Sequence, residues 1–356
     1  KVVVIGGGYA GATAAKYLRV WAKRLAIDSL VSVTIIDKSD KYVSNIMSNM
    51  VLTGEKTLTS LTYGYANLTT KYGVKFIKAA VSSVDTTNGW IYGKLNNTGS
   101  DILLNGTPFN RLVLAAGISF DYSPSNFTLN VPGTVYGNPY DAIPHAWQAG
   151  PQTTLLRNQL VNLKAGNHVA ITIPPGPYRC PPGPYERASQ VAHYFKQAKP
   201  KSKVLILDAN PDVTSKGPLF KKFWSENYKD IIEYRPNHKV TSVDTGTMSI
   251  HFDVQEPVKA HVLNVLPSMR AGAIAVQTGL ATANNRWCGV NYLTFESTAA
   301  KDVHVLGDSI QVAPGMPKSG HMANSHGKVA ASAIVAQMSG WDVNPAPMLT
   351  NTCYSF

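Results

Sequence analysis

The chain begins KVVVIGGGYAGATAAKYL, residues 1–18, and this stretch decides the fold. Residues 2–5 predict a short buried strand, and the alanine-rich run after the glycines predicts a helix. Between them stands Gly6-x-Gly8-x-x-Gly11, and the next strand ends at Asp37. Strand, glycine turn, helix and terminal acid together predict a dinucleotide-binding unit, in which a pyrophosphate meets the helix N-terminus and the acid accepts ribose hydroxyls. The alternative, a purely structural glycine turn, does not explain the acid.

Two later strand ends favour FAD over NAD as the dinucleotide. Residues 112–117 form an apolar run that ends on Ala116 and Gly117. Residues 305–308 read Val-Leu-Gly-Asp, so that Gly307 and Asp308 follow another strand. The first resembles the strand before the domain crossing in two-dinucleotide flavoproteins, and the second resembles their motif for the ribityl chain. The order of the three segments predicts bound FAD.

A second strand–turn–helix–strand unit is predicted over residues 168–208, but its turn reads PPGPYRCPPGP, residues 174–184. A phosphate cradle needs backbone N–H donors. Proline has none, and it fixes φ. We therefore expect no nicotinamide site in this unit. Cys180 stands where a glycine would be expected.

Cys180 has two interpretations. It precedes a helix that should begin near Pro184, and the positive helix end with Arg179 or Arg187 would favour a thiolate. The alternative is a small buried apolar residue. The residues alone leave both open.

Composition excludes several classes of protein. The chain has 356 residues, 44% of them hydrophobic, which is enough for two or three domains. It contains no apolar run of the ~18 residues that a transmembrane helix needs. The net charge of +12 is scattered over the chain, which indicates a solvated basic surface or an anionic partner rather than a nucleic-acid module.

The three cysteines, Cys180, Cys288 and Cys353, are too few for a disulfide scaffold. None has the spacing of a zinc ligand set, so we expect no metal. The chain also lacks C-x-x-C-H, so it should carry no covalent haem of its own.

Several motifs strongly resemble the flavoprotein subunit of flavocytochrome c sulfide dehydrogenase, a relative of sulfide:quinone oxidoreductases within the two-dinucleotide flavoproteins. The resemblance covers essentially the whole chain. It is carried by residues 179–189 (RCPPGPYERAS), 144–147 (PHAW), 294–297 (TFES), 316–320 (MPKSG), 323–331 (ANSHGKVAA) and 351–355 (NTCYS).

The resemblance implies a function and a set of roles. Cys180 and Cys353 match the two cysteines of a redox-active disulfide beside the flavin, whereas Cys288 matches no catalytic position and should be an inert buried thiol. The implied reaction is oxidation of sulfide, and the implied partner is a c-type cytochrome subunit that forms a heterodimer and carries the haem c. The implied location is the periplasm.

Three further residues receive predicted roles, two of them with an alternative. Asn45 aligns with the cysteine that often tethers FAD in the family; because Asn forms no thioether, we predict non-covalent FAD. Glu186 is a candidate proton acceptor beside the thiols, or a helix-start glutamate stabilised by the macrodipole. Lys318, after Pro317, is expected near the flavin and would stabilise its reduced form; the alternative is a surface lysine.

These observations predict an α/β fold with two Rossmann-like dinucleotide-binding domains of the glutathione-reductase type and a small C-terminal region. We expect a discontinuous FAD-binding domain at 1–122 and 268–338, and a second, NAD-like domain at 123–267 that begins with a linker rich in Pro, Gly, Asn and Tyr. Residues 339–356 should begin a C-terminal interface region that is incomplete here.

Three other functions remain alternatives. A sulfide:quinone oxidoreductase would need an apolar quinone channel and a membrane-binding surface. An NAD(P)H-dependent flavin reductase would need the nicotinamide site that the prolines disfavour. A non-catalytic electron-transfer flavoprotein would leave the paired cysteines unexplained.

Overall fold

A computed structural model describes residues 1–123, 125–132 and 138–355. Pro124, residues 133–137 and Phe356, which belong to the predicted linker and C-terminal region, lie outside the described residues. The chain forms two compact units. The first contains residues 1–42, 63–119 and 270–353; the second contains the described parts of 43–62 and 120–269, with 354 and 355.

The secondary structure follows the order expected of a doubly wound α/β protein. The strands are β1 (Val2–Ile5), β2 (Val33–Asp37), β3 (Lys41–Val43), β4 (Thr62–Gly64), β5 (Lys75–Asp85), β6 (Trp90–Leu95), β7 (Ile102–Leu103), β8 (Arg111–Leu114), β9 (Ile118–Phe120), β10 (Thr128–Asn130), β11 (His168–Ile173), β12 (Lys203–Asp208), β13 (Ile232–Arg235), β14 (Val240–Asp244), β15 (Ser249–Phe252), β16 (Val258–Lys259), β17 (Val262–Val265), β18 (Met269–Ala271) and β19 (Val303–Val305). The α-helices are α1 (Tyr9–Arg24), α2 (Asn49–Thr53), α3 (Ala66–Tyr72), α4 (Pro151–Asn162), α5 (Gly183–Ala198), α6 (Gly217–Asn227), α7 (Ala273–Gln277) and α8 (Gly320–Met338).

The first unit is built on a seven-stranded sheet of order β19-β8-β1-β2-β5-β6-β7. The strands from β19 to β5 are parallel, and β6 and β7 continue the sheet antiparallel. Every residue of β1 is buried, as expected for a central parallel strand covered on both faces. Helices α1 and α8 pack against each other. Gly327 permits this approach, since a Cβ there would lie 2.7 Å from the carbonyl of Ala10.

The second unit holds a parallel four-stranded sheet of order β13-β12-β11-β17. A second four-stranded sheet, β10-β14-β15-β16, covers part of it. The core between them is apolar and includes Phe127, Leu205, Ile250 and Leu263. Two Rossmann-like sheets are present, which confirms the predicted α/β fold class.

The alanine-rich sequence from about Ser325 to Met338 predicts a long helix, but helix α8 begins earlier, at Gly320. Ser319 caps it, because its hydroxyl accepts the N–H of Met322 at 3.0 Å. The cap satisfies one of the unpaired donors of the first turn, which lets the helix begin on a glycine. None of the helices in the described ranges is long and apolar enough to cross a membrane.

Candidate functional site: a nucleotide edge and a thiol turn

Three predicted cofactor segments meet at one edge of the first sheet. Ile5 pairs with Leu114, and Leu114 pairs with Val305, so β1, β8 and β19 end at the same level. The chain leaves these strands at Gly6, at Ala116–Gly117 and at Gly307–Asp308. Ligands of open α/β sheets bind at the carboxyl ends of the strands. The sheet order therefore brings these sequence-predicted residues together.

The glycine turn is closed by the protein on one side and open on the other. Gly6 has φ +98, and a Cβ there would lie 2.4 Å from the carbonyl of Ala115; a Cβ on Gly11 would lie 1.9 Å from the carbonyl of Gly6. Among the described residues, a Cβ at Gly8 would meet only Tyr42, at 3.6 Å. Gly8 is also the N-cap of α1, and no side chain in the described part of the protein caps that helix end. The space beside Gly8 and the positive N-terminus of α1 fit a pyrophosphate.

Asp37 ends β2 beside this turn. Its carboxylate accepts the N–H of Gly7 at 2.6 Å and the N–H of Ser39 at 2.8 Å. The side chain is half-buried. A carboxylate has about four acceptor positions, so capacity remains for ribose hydroxyls. Asp37 fits the role that the sequence predicts.

Lys318 is buried, in contrast to the surface lysine that was its alternative. Its ammonium donates to the carbonyls of Asp308 at 2.8 Å and Ile310 at 2.6 Å, and lies 3.5 Å from the centroid of the Trp287 ring. Burial lowers the pKa of Lys318 to about 7, and the carboxylate of Asp308 opposes that shift. The preceding Pro317 is half-buried. Lys318 is thus held beside the second cofactor motif by hydrogen bonds to two backbone carbonyls.

The thiol turn lies in the second unit, between β11 and α5. Cys180 is half-buried and has φ +59, a conformation that L-residues other than Asn and Asp rarely adopt. Its carbonyl accepts the N–H of Gly183 at 2.9 Å. A Cβ on Gly183 would lie 2.8 Å from Cys180 Sγ and 2.7 Å from the Trp147 ring. The missing side chain thus leaves room for the sulfur against the first turn of α5.

Arg187 supplies a buried positive charge one turn further along α5. The side chain is fully buried and stacks 4.6 Å from the Trp147 centroid. Its guanidinium donates to neutral acceptors: the side chains of Asn49 and Asn264, each at 2.9 Å, and the carbonyls of His145 and Ala146, at 2.9 and 2.6 Å. Burial lowers the pKa of Arg187 to about 9, and the neighbouring Cys180 and Glu186 raise it. A buried cation whose hydrogen bonds, as far as the structure describes them, all go to neutral groups favours an anion nearby.

Glu186 is buried in the first turn of α5. Burial raises the pKa of its carboxyl to about 7, against the effects of Asn49, Lys216 and Arg187. Gln190, one turn on, donates to Glu186 Oε1 at 3.3 Å. A carboxyl with a pKa near 7 can both accept and release a proton at neutral pH.

Two asparagines of residues 43–62 differ in role. Asn45 is half-buried and contacts Ser48, whose hydroxyl donates to its carbonyl at 2.8 Å. Asn49 donates to the carbonyl of Gly183 at 3.3 Å and accepts from Arg187 at 2.9 Å. Sequence reasoning missed Asn49 because its partners lie about 135 residues away. The segment of Asn45 is therefore fastened to the start of α5.

Cys353 belongs to the first unit, where residues 350–353 run past the start of α8. Asn351 accepts a hydrogen bond from Ser319 and donates to Cys353 Sγ at 3.4 Å. His321 accepts the N–H of Thr352 at 3.0 Å. Cys353 is half-buried, and Cys288 is fully buried, as expected of an inert thiol. The pairing of Cys180 with Cys353 stays a prediction.

Comparisons with known proteins agree with this architecture. A sequence profile for the central part of the flavoprotein chain of flavocytochrome c sulfide dehydrogenase matches residues 153–267. The flavoprotein chain of that enzyme from Chlorobaculum thiosulfatiphilum is 41% identical over 51 residues, which span 14% of this chain and 94% of that sequence.

Solved structures share the fold at low sequence identity. The sulfide:quinone oxidoreductase of Aquifex aeolicus superposes with a TM-score of 0.73 and 19% identity, over 95% of this chain and 77% of that one. Reduced CoADR-RHD of Bacillus anthracis superposes with a TM-score of 0.66 and 14% identity, over 94% of this chain and 56% of that one.

The two Rossmann-like sheets, the open glycine turn and these likenesses define the fold of a two-dinucleotide flavoprotein. Within that class, the chain belongs to the family of the flavoprotein chain of flavocytochrome c sulfide dehydrogenase.

Proposed function

We propose that this chain is the sulfide-oxidising flavoprotein of a heterodimer, that Cys180 and Cys353 form its redox-active disulfide, and that a periplasmic c-type cytochrome subunit, which carries the haem c, takes the electrons. The observation that carries the proposal is the setting of Cys180. Its sulfur lies against the start of α5 and interacts electrostatically with the buried guanidinium of Arg187. Glu186, a carboxyl with a pKa of about 7, lies in the first turn of the same helix.

The disulfide divides the oxidation of sulfide into exchange steps. Hydrosulfide attacks one sulfur of the Cys180–Cys353 bond, a new S–S bond forms, and the other cysteine leaves as a thiolate. Glu186 accepts the proton of the resulting persulfide. When the disulfide re-forms, zero-valent sulfur is released, so each hydrosulfide loses one proton and two electrons.

FAD, when bound, supplies the acceptor for the two electrons and passes them on singly. Gly6, Gly8, Gly11 and Asp37 would hold its pyrophosphate and ribose, and the turns at Ala116–Gly117 and Gly307–Asp308 would hold the chain that leads to the ring. The ammonium of Lys318 would face the ring and stabilise its reduced, anionic form.

An anaerobic sulfide titration of the bound flavin tests the proposal. Sulfide should bleach the flavin of the parent protein, and Cys180→Ser or Cys353→Ser should slow the bleaching on the order of 10³-fold or more, because each variant lacks the disulfide. Cys288→Ser is the matched control and should bleach like the parent. Full-rate bleaching of either active-site variant would overturn the mechanism.

The same preparation separates the other functions. Reoxidation of the bleached flavin by a c-type cytochrome supports the proposal, whereas reoxidation by a quinone alone would favour a sulfide:quinone oxidoreductase. Bleaching by NADH would favour a flavin reductase.

We also propose that FAD is held without a covalent bond, because Asn45 cannot form a thioether. After denaturation and filtration of the holoprotein, the yellow colour should pass into the filtrate. Colour that stays with the protein would contradict this.

A further inference from the structure

The carboxylate of Asp208, at the end of β12, accepts four hydrogen bonds from the protein itself. Asp208 is completely buried. One of its oxygens accepts from the hydroxyls of Tyr185 at 2.7 Å and Tyr234 at 3.1 Å. The other accepts from the backbone and side-chain nitrogens of Asn210, at 2.9 and 2.8 Å. In a working dinucleotide unit, an acid at this position takes ribose hydroxyls, as the half-buried Asp37 can.

The groups bonded to Asp208 also hold the thiol turn. The Tyr185 hydroxyl contacts the Tyr178 hydroxyl at 3.5 Å and Thr214 Oγ1 at 3.3 Å. Tyr178 bonds to Thr214 Oγ1 at 2.6 Å and donates to the carbonyl of Pro181, directly after Cys180, at 3.3 Å.

The other arm of the turn is held by Asn210. Its amide donates to the carbonyl of Pro174 at 3.1 Å and accepts the N–H of Gly176 at 3.2 Å. Both arms of residues 174–184 therefore converge on the end of β12.

Cys180 needs such support. A non-glycine residue in the left-handed region is strained and persists only where its surroundings fix it. Six prolines among residues 174–184 leave few backbone N–H groups to fix the turn from within. The side chains around Asp208 supply the missing bonds from outside.

We propose that Asp208, Tyr185 and Tyr178 form a brace that holds the Cys180 sulfur at the start of α5, so that the acid of the second dinucleotide unit serves as a positioning residue. This inference rests on the proposed role of Cys180, but its test measures the thiol itself and needs no sulfide oxidation.

The experiment titrates Cys180 in the flavin-bound Cys353→Ser protein. Alkylation by iodoacetamide is followed over pH by mass spectrometry of the Cys180 peptide, and the midpoint gives the thiol pKa free of any change in access. Tyr185→Phe keeps the ring and removes the hydroxyl, so the sulfur should drift from the helix start. We expect the midpoint to rise by about one pH unit, a tenfold loss of thiolate below it.

Tyr234→Phe is the matched control, because it removes the other phenol that donates to Asp208 and none of the hydrogen bonds described for the turn. Its midpoint should equal that of the parent. Thr214→Val removes the hydrogen bond to Tyr178 and should raise the midpoint as Tyr185→Phe does. It takes the place of Tyr185→Phe in the test if Tyr185→Phe does not fold. If Tyr185→Phe folds and its midpoint is unchanged, the brace is overturned; if it does not fold, an unchanged midpoint in Thr214→Val overturns the brace. An equal rise in Tyr234→Phe also overturns it, since the charge of Asp208 would then act directly.

Discussion

The carboxyl of Glu186 is buried, and its pKa is shifted into the neutral range. Burial raises the pKa of its carboxyl from 4.5 to about 7. The folded protein therefore binds this proton more tightly than the unfolded chain does between these pH values. Stability contributed at this position is highest below about pH 4.5 and is lost as pH rises to about 7. The loss should reach about 3 kcal/mol above pH 7.

Glu186→Gln should remove this pH dependence, because the amide has nearly the same shape and does not titrate. We expect both proteins to have similar free energies of unfolding at pH 4.5 and the variant to be more stable at pH 8. Denaturant unfolding from pH 4.5 to 8 measures the difference. Glu226→Gln, at an exposed position of α6, is the control. A flat difference between parent and Glu186→Gln would show that the carboxyl is not buried as described.

At the scale of the element, the start of α5 depends on the absence of one side chain. Gly183 and Gly217 are the first residues of α5 and α6. Alanine normally stabilises a helical glycine position by about 0.4–1 kcal/mol. A Cβ on Gly183, however, would lie under 3 Å from Trp147 and Cys180, whereas one on Gly217 would meet Val213 at 3.5 Å. The two helices thus offer a matched pair of substitutions.

Gly183→Ala should destabilise the protein by about 1–3 kcal/mol, the usual cost of overpacking. Gly217→Ala should be neutral or stabilising. Unfolding midpoints of the two variants, measured side by side, give the comparison. A Gly183→Ala protein as stable as the parent would mean that the sulfur does not lie against the helix start.

The elements themselves could largely be predicted from the sequence. Apolar runs mark β1, β8, β11 and β19, and a glycine follows β1, β8 and β19 within a few residues. Helix α8 was predicted too short. A glycine is an unfavourable first residue of a helix, and the cap of Ser319 that permits a start there was not recognised in the sequence.

The brace around Asp208 could not be predicted. Tyr185 and Asp208 are 23 positions apart, and nothing local pairs them. The same holds for Asn49 and Arg187, whose contact arises only when residues 43–62 fold onto α5. Local patterns reveal strands and caps, whereas buried polar pairs depend on packing between distant segments.

At the scale of the whole molecule, the chain carries 33 Lys and Arg against 21 Asp and Glu. Exposed charge of one sign speeds encounters with partners of the other sign by about 10–10³-fold, and salt screens the effect over a Debye length of ~10 Å at 0.1 M. The sulfide-reduced protein should therefore reduce an acidic c-type cytochrome at least tenfold faster than a basic one at low ionic strength.

Raising the salt concentration should slow the reduction of the acidic cytochrome and bring the two rates closer together. Stopped-flow measurements at several salt concentrations would follow both rates. A small uncharged acceptor is the control and should be insensitive to salt. Equal rates at low salt, or a faster basic cytochrome, would show that the net charge does not guide this encounter.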